Sequence, residues 1–195
     1  NNYKRRKNAA KLPCIKRLED FDFSFQPTID QKHISDLATC MFINKKENVI
    51  LVGGSGTGKT HLAISLAVKA LSKEYSVYFT TVSDLLYNLH ISKADNSYPR
   101  KLKQIVGYDL LVLDELGFKQ LPKYSSDDFF AIISKRYEHK STIITTNKEI
   151  EDWNDIFDEE VLTKAIVDRL MHYASIFNIK GKSYRMKKFK KAEGK

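Results

Sequence analysis

The chain has 195 residues, 42% hydrophobic and 29% charged, which suits one ordinary globular domain. No apolar run approaches the roughly 18–20 residues that span a bilayer, and no signal-peptide core appears, so membrane and exported proteins are excluded as expectations. Net charge is +9 but uneven: residues 1–17 carry +7 with no acid, residues 180–195 carry eight basic residues against the single Glu193 for a net +7, and the middle is left at −5.

Basic ends of this kind either neutralise nucleic-acid phosphates or are simply solvated, and a nucleic acid is the expected partner. The first residue is Asn1 rather than Met, so residues 1–17 are expected to be a linker or the end of a preceding domain. Leu18 to Pro27 sets Phe21, Phe23 and Phe25 among Asp and Ser residues, an alternation that predicts an extended stretch ended by Pro27. Asp30 to Ile43 predicts one helix, with Ile34, Leu37, Ala38, Met41 and Phe42 on a common side. Asn48 to Val52 is a short apolar run, the pattern of a buried parallel strand. It leads into Gly53-Gly54-Ser55-Gly56-Thr57-Gly58-Lys59-Thr60, and His61 to Leu71 then shows helical spacing at Leu62, Ala63, Leu66, Ala67 and Ala70. Ser76 to Thr81, β-branched and aromatic, is a second strand. Ser83 with Asp84 is expected to cap a helix whose apolar face is Leu85, Leu86 and Leu89. Residues 93–98 predict a loop, after which Pro99 opens a short basic helix containing Arg100, Lys101 and Lys103. Strands follow over Asp109–Leu113, Ser141–Thr145 and Ala174–Ile179, with helices over Ser126–Tyr137 and Val161–Tyr173. Strands alternating with helices predict an α/β fold, a five-stranded parallel sheet with helices on both faces.

Residues 53–60 fit G-x-x-x-x-G-K-[ST], the phosphate-binding P-loop. Its glycines let backbone N–H groups converge on phosphate oxygens, Lys59 can reach the β/γ-phosphates, and the Thr60 hydroxyl can bind Mg²⁺. Strand, Gly-rich turn and helix aim a helix N-terminus at phosphate. The third strand ends in Asp114 and Glu115, at the sheet edge where parallel sheets bind ligands. Asp114 is the candidate to hold Mg²⁺, directly or through water, and Glu115 the general base for an attacking water. The fourth strand runs into Asn147, an ordinary turn residue by itself but in this order a candidate sensor of the γ-phosphate. Positive charge on the transferring phosphoryl group is commonly supplied by an arginine in trans. Arg169 is the first candidate, with Arg136 and Arg185 behind it. Cys14 and Cys40 have neither CxxC spacing nor a nearby His partner, so they read as incidental thiols in a reducing, cytoplasmic setting.

The P-loop, residues 110–117 (Leu-Leu-Val-Leu-Asp-Glu-Leu-Gly), 143–147 (Ile-Ile-Thr-Thr-Asn) and 165–170 (Ala-Ile-Val-Asp-Arg-Leu) together resemble the IstB family, AAA+ ATPases that help insertion-sequence transposition and are related to the DnaC helicase loader. Residues 18–23, Gly117-Phe118 with Leu121-Pro122, and Lys182-Ser183-Tyr184-Arg185 extend the likeness, which runs from about residue 12 to 187. The resemblance implies binding and hydrolysis of ATP with Mg²⁺, self-assembly on DNA, and cooperation with a transposase. It implies that Gly53, Gly54, Ser55, Gly56, Thr57, Gly58, Lys59, Thr60 and His61 bind nucleotide, that Asp114 and Glu115 form Walker B, that Asn147 is sensor 1, and that Arg169 is the arginine finger. The Phe21–Phe25 stretch would lie near the adenine, with Phe21 and Phe23 as the nucleotide-binding residues. Arg100, Lys101 and Lys103, with Lys187 and Lys188 in the tail, are the expected DNA surface.

Two departures from the family pattern stand out. Only the basic end of a helical N-terminal domain could be present, and no helical lid fits after the fifth strand, so sensor 2 is absent or replaced by Arg185. The expected division is therefore a basic segment at 1–17, the ATPase domain at 18–180 and a basic tail at 181–195. Other readings stay open. A helicase loader of the same family uses the same motifs. A small-molecule P-loop kinase would need an acceptor pocket, whereas Glu115 and Asn147 favour water as acceptor. A nucleotide-gated scaffold would bind ATP and barely hydrolyse it.

Overall fold

The computed structural model describes residues 2–187 except 123 and 158. Five strands form one parallel sheet in the order β2-β3-β4-β1-β5. They are β1 (Asn48–Gly53), β2 (Val77–Thr81), β3 (Leu110–Leu116), β4 (Ser141–Thr146) and β5 (Ala174–Ile179). The central strands are buried on both sides, as parallel sheets require, and even the Ser and Thr residues of β4 are buried. From β1 the chain crosses over two strand positions to β2, returns through β3 and β4, and then passes β1 to place β5 on the far edge. The reversal leaves a crevice at the carboxyl ends of β1, β4 and β3, the place where open α/β sheets bind ligands.

Helices cover both faces. On one side, α2 (Gln31–Leu37), α3 (Met41–Asn44) and α4 (Lys59–Ser72) pack Ile34, Phe42, Leu62 and Leu66 against Val49, Leu51, Val112 and Ile143. On the other, α5 (Val82–Ala94), α6 (Tyr98–Gly107), α7 (Ser125–Arg136) and α8 (Glu160–Met171) pack Leu85, Leu102, Phe129 and Ile166 against Ile50, Leu111, Leu113 and Ile144. Among the described residues no helix is long and apolar enough to cross a membrane. After β5 the described residues hold only a turn of helix at 184–187.

Several local expectations are corrected. The predicted helix over 30–43 is two, because Thr39 bonds its hydroxyl back to the Asp36 carbonyl at 2.6 Å and Cys40 turns left-handed at φ 64°. The turn lets Phe42 and Ile43 join the core already lined by Ile34 and Leu37. The cap of α5 is Thr81, whose hydroxyl accepts from the Asp84 N–H at 3.1 Å, not Ser83 with Asp84. The predicted loop at 93–98 shrinks, since α5 runs to Ala94 and α6 opens at Tyr98. Residues 18–27 form a 3₁₀ turn at Leu18–Asp20 followed by tight turns, not an extended stretch. The N-terminal basic segment begins with an exposed helix, α1 (Asn2–Ala9). Ala10 behind it is fully buried, and its carbonyl accepts from the Phe79 N–H at 2.8 Å, covering part of the otherwise open edge of β2.

Arg136, at the end of α7, is 1% exposed. Its guanidinium donates to Thr142 Oγ1 and to the carbonyls of Val106, Tyr108 and Ser141, tying the end of α6 to the start of β4. Burial pushes its pKa down and Asp109 pulls it back up. Its donors are spent on structure, which removes it from the candidates for phosphoryl-group contact. Arg136→Met would take this donor from the carbonyls of Val106, Tyr108 and Ser141, and a buried acceptor left unsatisfied costs about 1–3 kcal/mol. A loss of about 3 kcal/mol in urea unfolding is expected; a loss under about 1 kcal/mol would show that these carbonyls are satisfied without Arg136.

Candidate functional site

The P-loop joins β1 to α4 at the crevice, and Gly58 sits at the N-cap of α4 with φ 101°. Two of its glycines are fixed by close approach as well as by backbone angle. A Cβ on Gly58 would stand 2.6 Å from the Phe21 ring, and one on Gly56 (φ 77°) would stand 2.1 Å from Ser183 Oγ. Segments from both parts of the chain therefore lie directly on the loop. Phe21 meets the His61 ring edge-on at 5.3 Å, and His61 Nε2 bonds the Arg17 carbonyl at 2.8 Å. From the other side, the Tyr184 N–H donates to the Gly56 carbonyl at 2.9 Å, and Gln26 donates to the Lys182 carbonyl at 2.9 Å.

These segments and the strand ends enclose a cavity of about 430 Å³, within the size range of small-ligand sites. Ser55, Gly56, Thr57, Gly58, Lys59, Thr60 and His61 line it, with Phe21, Glu115 and Asn147. Gly53 and Gly54 lie behind the lining, and their carbonyls accept from Lys59 Nζ at 2.7 Å each. Burial pushes the Lys59 ammonium pKa down; Asp114 pulls it up, Arg185 pushes it down and Glu115 pulls it up. Asp114 is 5% exposed beneath the cavity floor. Its carboxylate accepts from the Thr60 hydroxyl at 3.0 and 3.2 Å and from the Thr145 hydroxyl. Glu115 is exposed, left-handed at φ 63°, and its N–H donates to Thr145 Oγ1 at 3.0 Å.

The donor set suits nucleoside triphosphate with a hard divalent cation. A hydroxyl and a carboxylate in contact, Thr60 and Asp114, offer the oxygen ligands that Mg²⁺ prefers when phosphate and water supply the rest. Among the described residues no group of three or more His, Cys, Asp or Glu gathers as a metal site. The loop presents backbone N–H groups at the start of α4, where the helix dipole favours phosphate.

Other expected site residues lie elsewhere. Phe23 packs on Phe21 at 4.8 Å and on the core, outside the lining. Arg169 is also outside it: its guanidinium donates to the Ala165 carbonyl at 2.9 Å and lies over the Phe130 ring at 5.0 Å. On α6, Arg100 and Lys103 are exposed and Lys101 is half-buried. Lys187 turns onto its own chain, 3.4 Å from Asp22 and over the rings of Phe25 and Tyr184. Lys188 falls outside the described residues. The sequence reading missed Asp22, Gln26 and Thr145, and placed Phe25 only within a segment near the base; Arg185, named there as a substitute, does line the cavity. Only long-range pairing brings these residues together, so spacing along the chain carried no signal of it.

With the geometry in hand, likeness to known proteins narrows the reading. The family model for IstB-like ATP binding proteins matches residues 1–192. A protein of insertion sequence IS21 from Pseudomonas aeruginosa, named for ATP binding, is 44% identical over 183 residues, covering 94% of this chain and 69% of that one. Among solved structures, DnaI superposes with a TM-score of 0.72 at 23% identity, covering 89% of this chain and 94% of that one. The DnaC helicase loader superposes with a TM-score of 0.64 at 26% identity, covering 91% and 99%. A P-loop backed by a buried Asp–Thr pair, on a parallel sheet shared with these AAA+ structures, is thus the site of a chain that belongs to the family of IstB-like ATP-binding proteins.

Proposed function

We propose that the protein is a Mg²⁺-dependent ATPase that assembles on DNA, with ATP between neighbouring copies, and assists a transposase. The observation that carries this reading is the pairing of a buried carboxylate with a carboxylate facing the cavity. Asp114 is sequestered beneath Thr60, while its neighbour Glu115 stands at the cavity wall near Asn147. The chemistry then divides by position. Lys59 and the loop N–H groups bind the phosphates. Glu115 takes a proton from the attacking water, and Asn147 orients that water against the γ-phosphate. Mg²⁺, when bound, would neutralise charge on the β- and γ-phosphates; Thr60 and Asp114 would hold it. Phe21, Phe25 and Tyr184 provide ring surface for a base. Arg169 lies away from its own cavity, which supports a role toward a neighbour's γ-phosphate. The insertion-sequence relative supports the transposition role. The likeness to a helicase loader supports a second reading, loading of a replicative helicase. A pull-down scored for transposase against replicative helicase separates the two.

Glu115→Gln is expected to bind ATP within about 3-fold of the parent but to lose about 100-fold or more in turnover, as removal of a general base does. The assay contains no phosphate acceptor except water; a parent that turns over only when an acceptor is added would mark a kinase instead. Arg169→Ala should keep nucleotide affinity and lose DNA-stimulated turnover by about 10³-fold, the lower range for a trans arginine. Equal turnover in mutant and parent would remove Arg169 from the reaction. DNA affinity should fall linearly with salt on logarithmic axes, and Arg100→Ala or Lys103→Ala should each reduce that slope by about 1. Unchanged slopes would move the DNA surface off α6.

A further inference from the structure

β3 and β4 pair in register up to Leu113 with Ile144 and again at Leu116 with Thr146. Between these rungs β3 has two residues, Asp114 and Glu115, where β4 has one, Thr145. This is a β-bulge, which bends the strand and leaves a backbone group without its ladder partner. The side chains record it. Successive residues of a regular strand point to opposite faces, yet Leu113 and Leu116, three apart, both pack into the core beneath α5–α8. A regular strand would have sent Glu115 toward that core and Asp114 toward α4. With the bulge, Asp114 still meets Thr60 on α4, but Glu115 turns left-handed and reaches the cavity.

The Thr145 side chain fills the gap that the bulge opens. Its hydroxyl oxygen accepts the Glu115 N–H at 3.0 Å, and its hydroxyl proton goes to the Asp114 carboxylate. An N–H can only donate and a carboxylate can only accept, so the hydroxyl rotor has one setting that serves both. Thr145 is 1% exposed, with little access for water to take over either bond. Valine has the same shape and suits a buried strand equally well, but it can make neither bond.

We propose that Thr145 is the positioning residue of the hydrolytic site. Its hydroxyl replaces the missing rung of the β3–β4 ladder, and it fixes the Asp114 carboxylate and the Glu115 backbone conformation together. Thr145 itself touches neither the phosphate nor the attacking water in this role; it acts through its two acidic neighbours. The inference rests on the reading of the site as an ATPase.

Thr145→Val and Thr145→Ser test it, with three readouts: turnover, binding of a fluorescent ATP analogue with and without Mg²⁺, and exchange of the Glu115 amide hydrogen in the nucleotide-free protein. Loss of such supporting hydrogen bonds typically costs 10–100-fold. Thr145→Val should therefore lose about 10–100-fold in kcat, with KM and Mg²⁺-free binding within about 3-fold, and should weaken apparent Mg²⁺ affinity about 10-fold. Its Glu115 amide should exchange at least about 10-fold faster than in the parent. Thr145→Ser should stay within about 3-fold of the parent throughout. Parental kcat in Thr145→Val, or a serine variant as impaired as the valine one, overturns the proposal. Should Thr145→Val not fold, the parent decides: a Glu115 amide exchanging as fast as an open loop overturns it. A parent with no turnover at all would sink the hydrolysis reading instead, while amide exchange would still report on the Thr145 bond.

Discussion

The site depends on one buried charge. Asp114 follows four apolar residues within β3 and is almost wholly removed from water, a placement that costs several kcal/mol unless the carboxylate is well hydrogen-bonded. Two threonine hydroxyls meet that need, Thr60 from the start of α4 and Thr145 from β4. The same contacts set the geometry of the site. They fix the first turn of α4 against β3 and β4, and with it the P-loop that precedes the helix. Lys59, one residue before Thr60, feels the carboxylate directly, since Asp114 opposes the lowering of its pKa by burial. A substitution at Asp114 would therefore loosen the loop and the strand ends together.

Around this floor the chain supplies a roof from two distant segments. Residues 13–26 arrive before the first strand and residues 183–187 follow the last, and they meet over the P-loop. Gly56 and Gly58 permit the meeting, because no side chain fits where Ser183 and Phe21 press on the loop. Lys187 is drawn into the same cluster by Asp22 and two aromatic rings. A nucleotide base entering between Phe21, Phe25 and Tyr184 would thus touch both segments at once. Base binding would be coupled to how the last strand continues, with no separate lid required.

Much of this is legible in the sequence. Apolar runs gave β1 and β3, which are buried between two helical layers, and β-branched or aromatic residues gave β2, β4 and β5, where polar residues share the strand. The P-loop and the paired carboxylates are local patterns, and they fall where such patterns fall. What escaped was set by tertiary contact. Nothing local marks Arg136 as buried; inside, its guanidinium donates to the carbonyls of Val106, Tyr108 and Ser141, which tertiary folding brings together. The break at Cys40 lies within apolar helical spacing and is imposed by the need to bring Phe42 and Ile43 onto the core. Lys187 reads as one more charge in a basic tail until Phe25 and Asp22 are folded against it. Thr145 looks like any β-branched strand residue, because the bulge that gives its hydroxyl a task belongs to the pairing of two strands and to neither strand alone.

The arginines differ in a way that bears on how such a site would be controlled. Arg185 lines the cavity on the segment that touches Gly56, so any charge it lends is available within one copy. Arg169 has no such access. It is held on α8 by the Ala165 carbonyl and the Phe130 ring of α7, and α8 is itself anchored by buried Thr163, Ile166 and Leu170. A side chain mounted on a packed helix rather than a loop has its position set by the whole domain. If a neighbour's cavity is its target, it reaches the γ-phosphate only when two copies adopt one relative orientation, and small misplacements of a charge at a phosphoryl group are costly in rate. Binding would then be a property of the single copy and turnover a property of the stack, with DNA able to stimulate hydrolysis simply by aligning the copies.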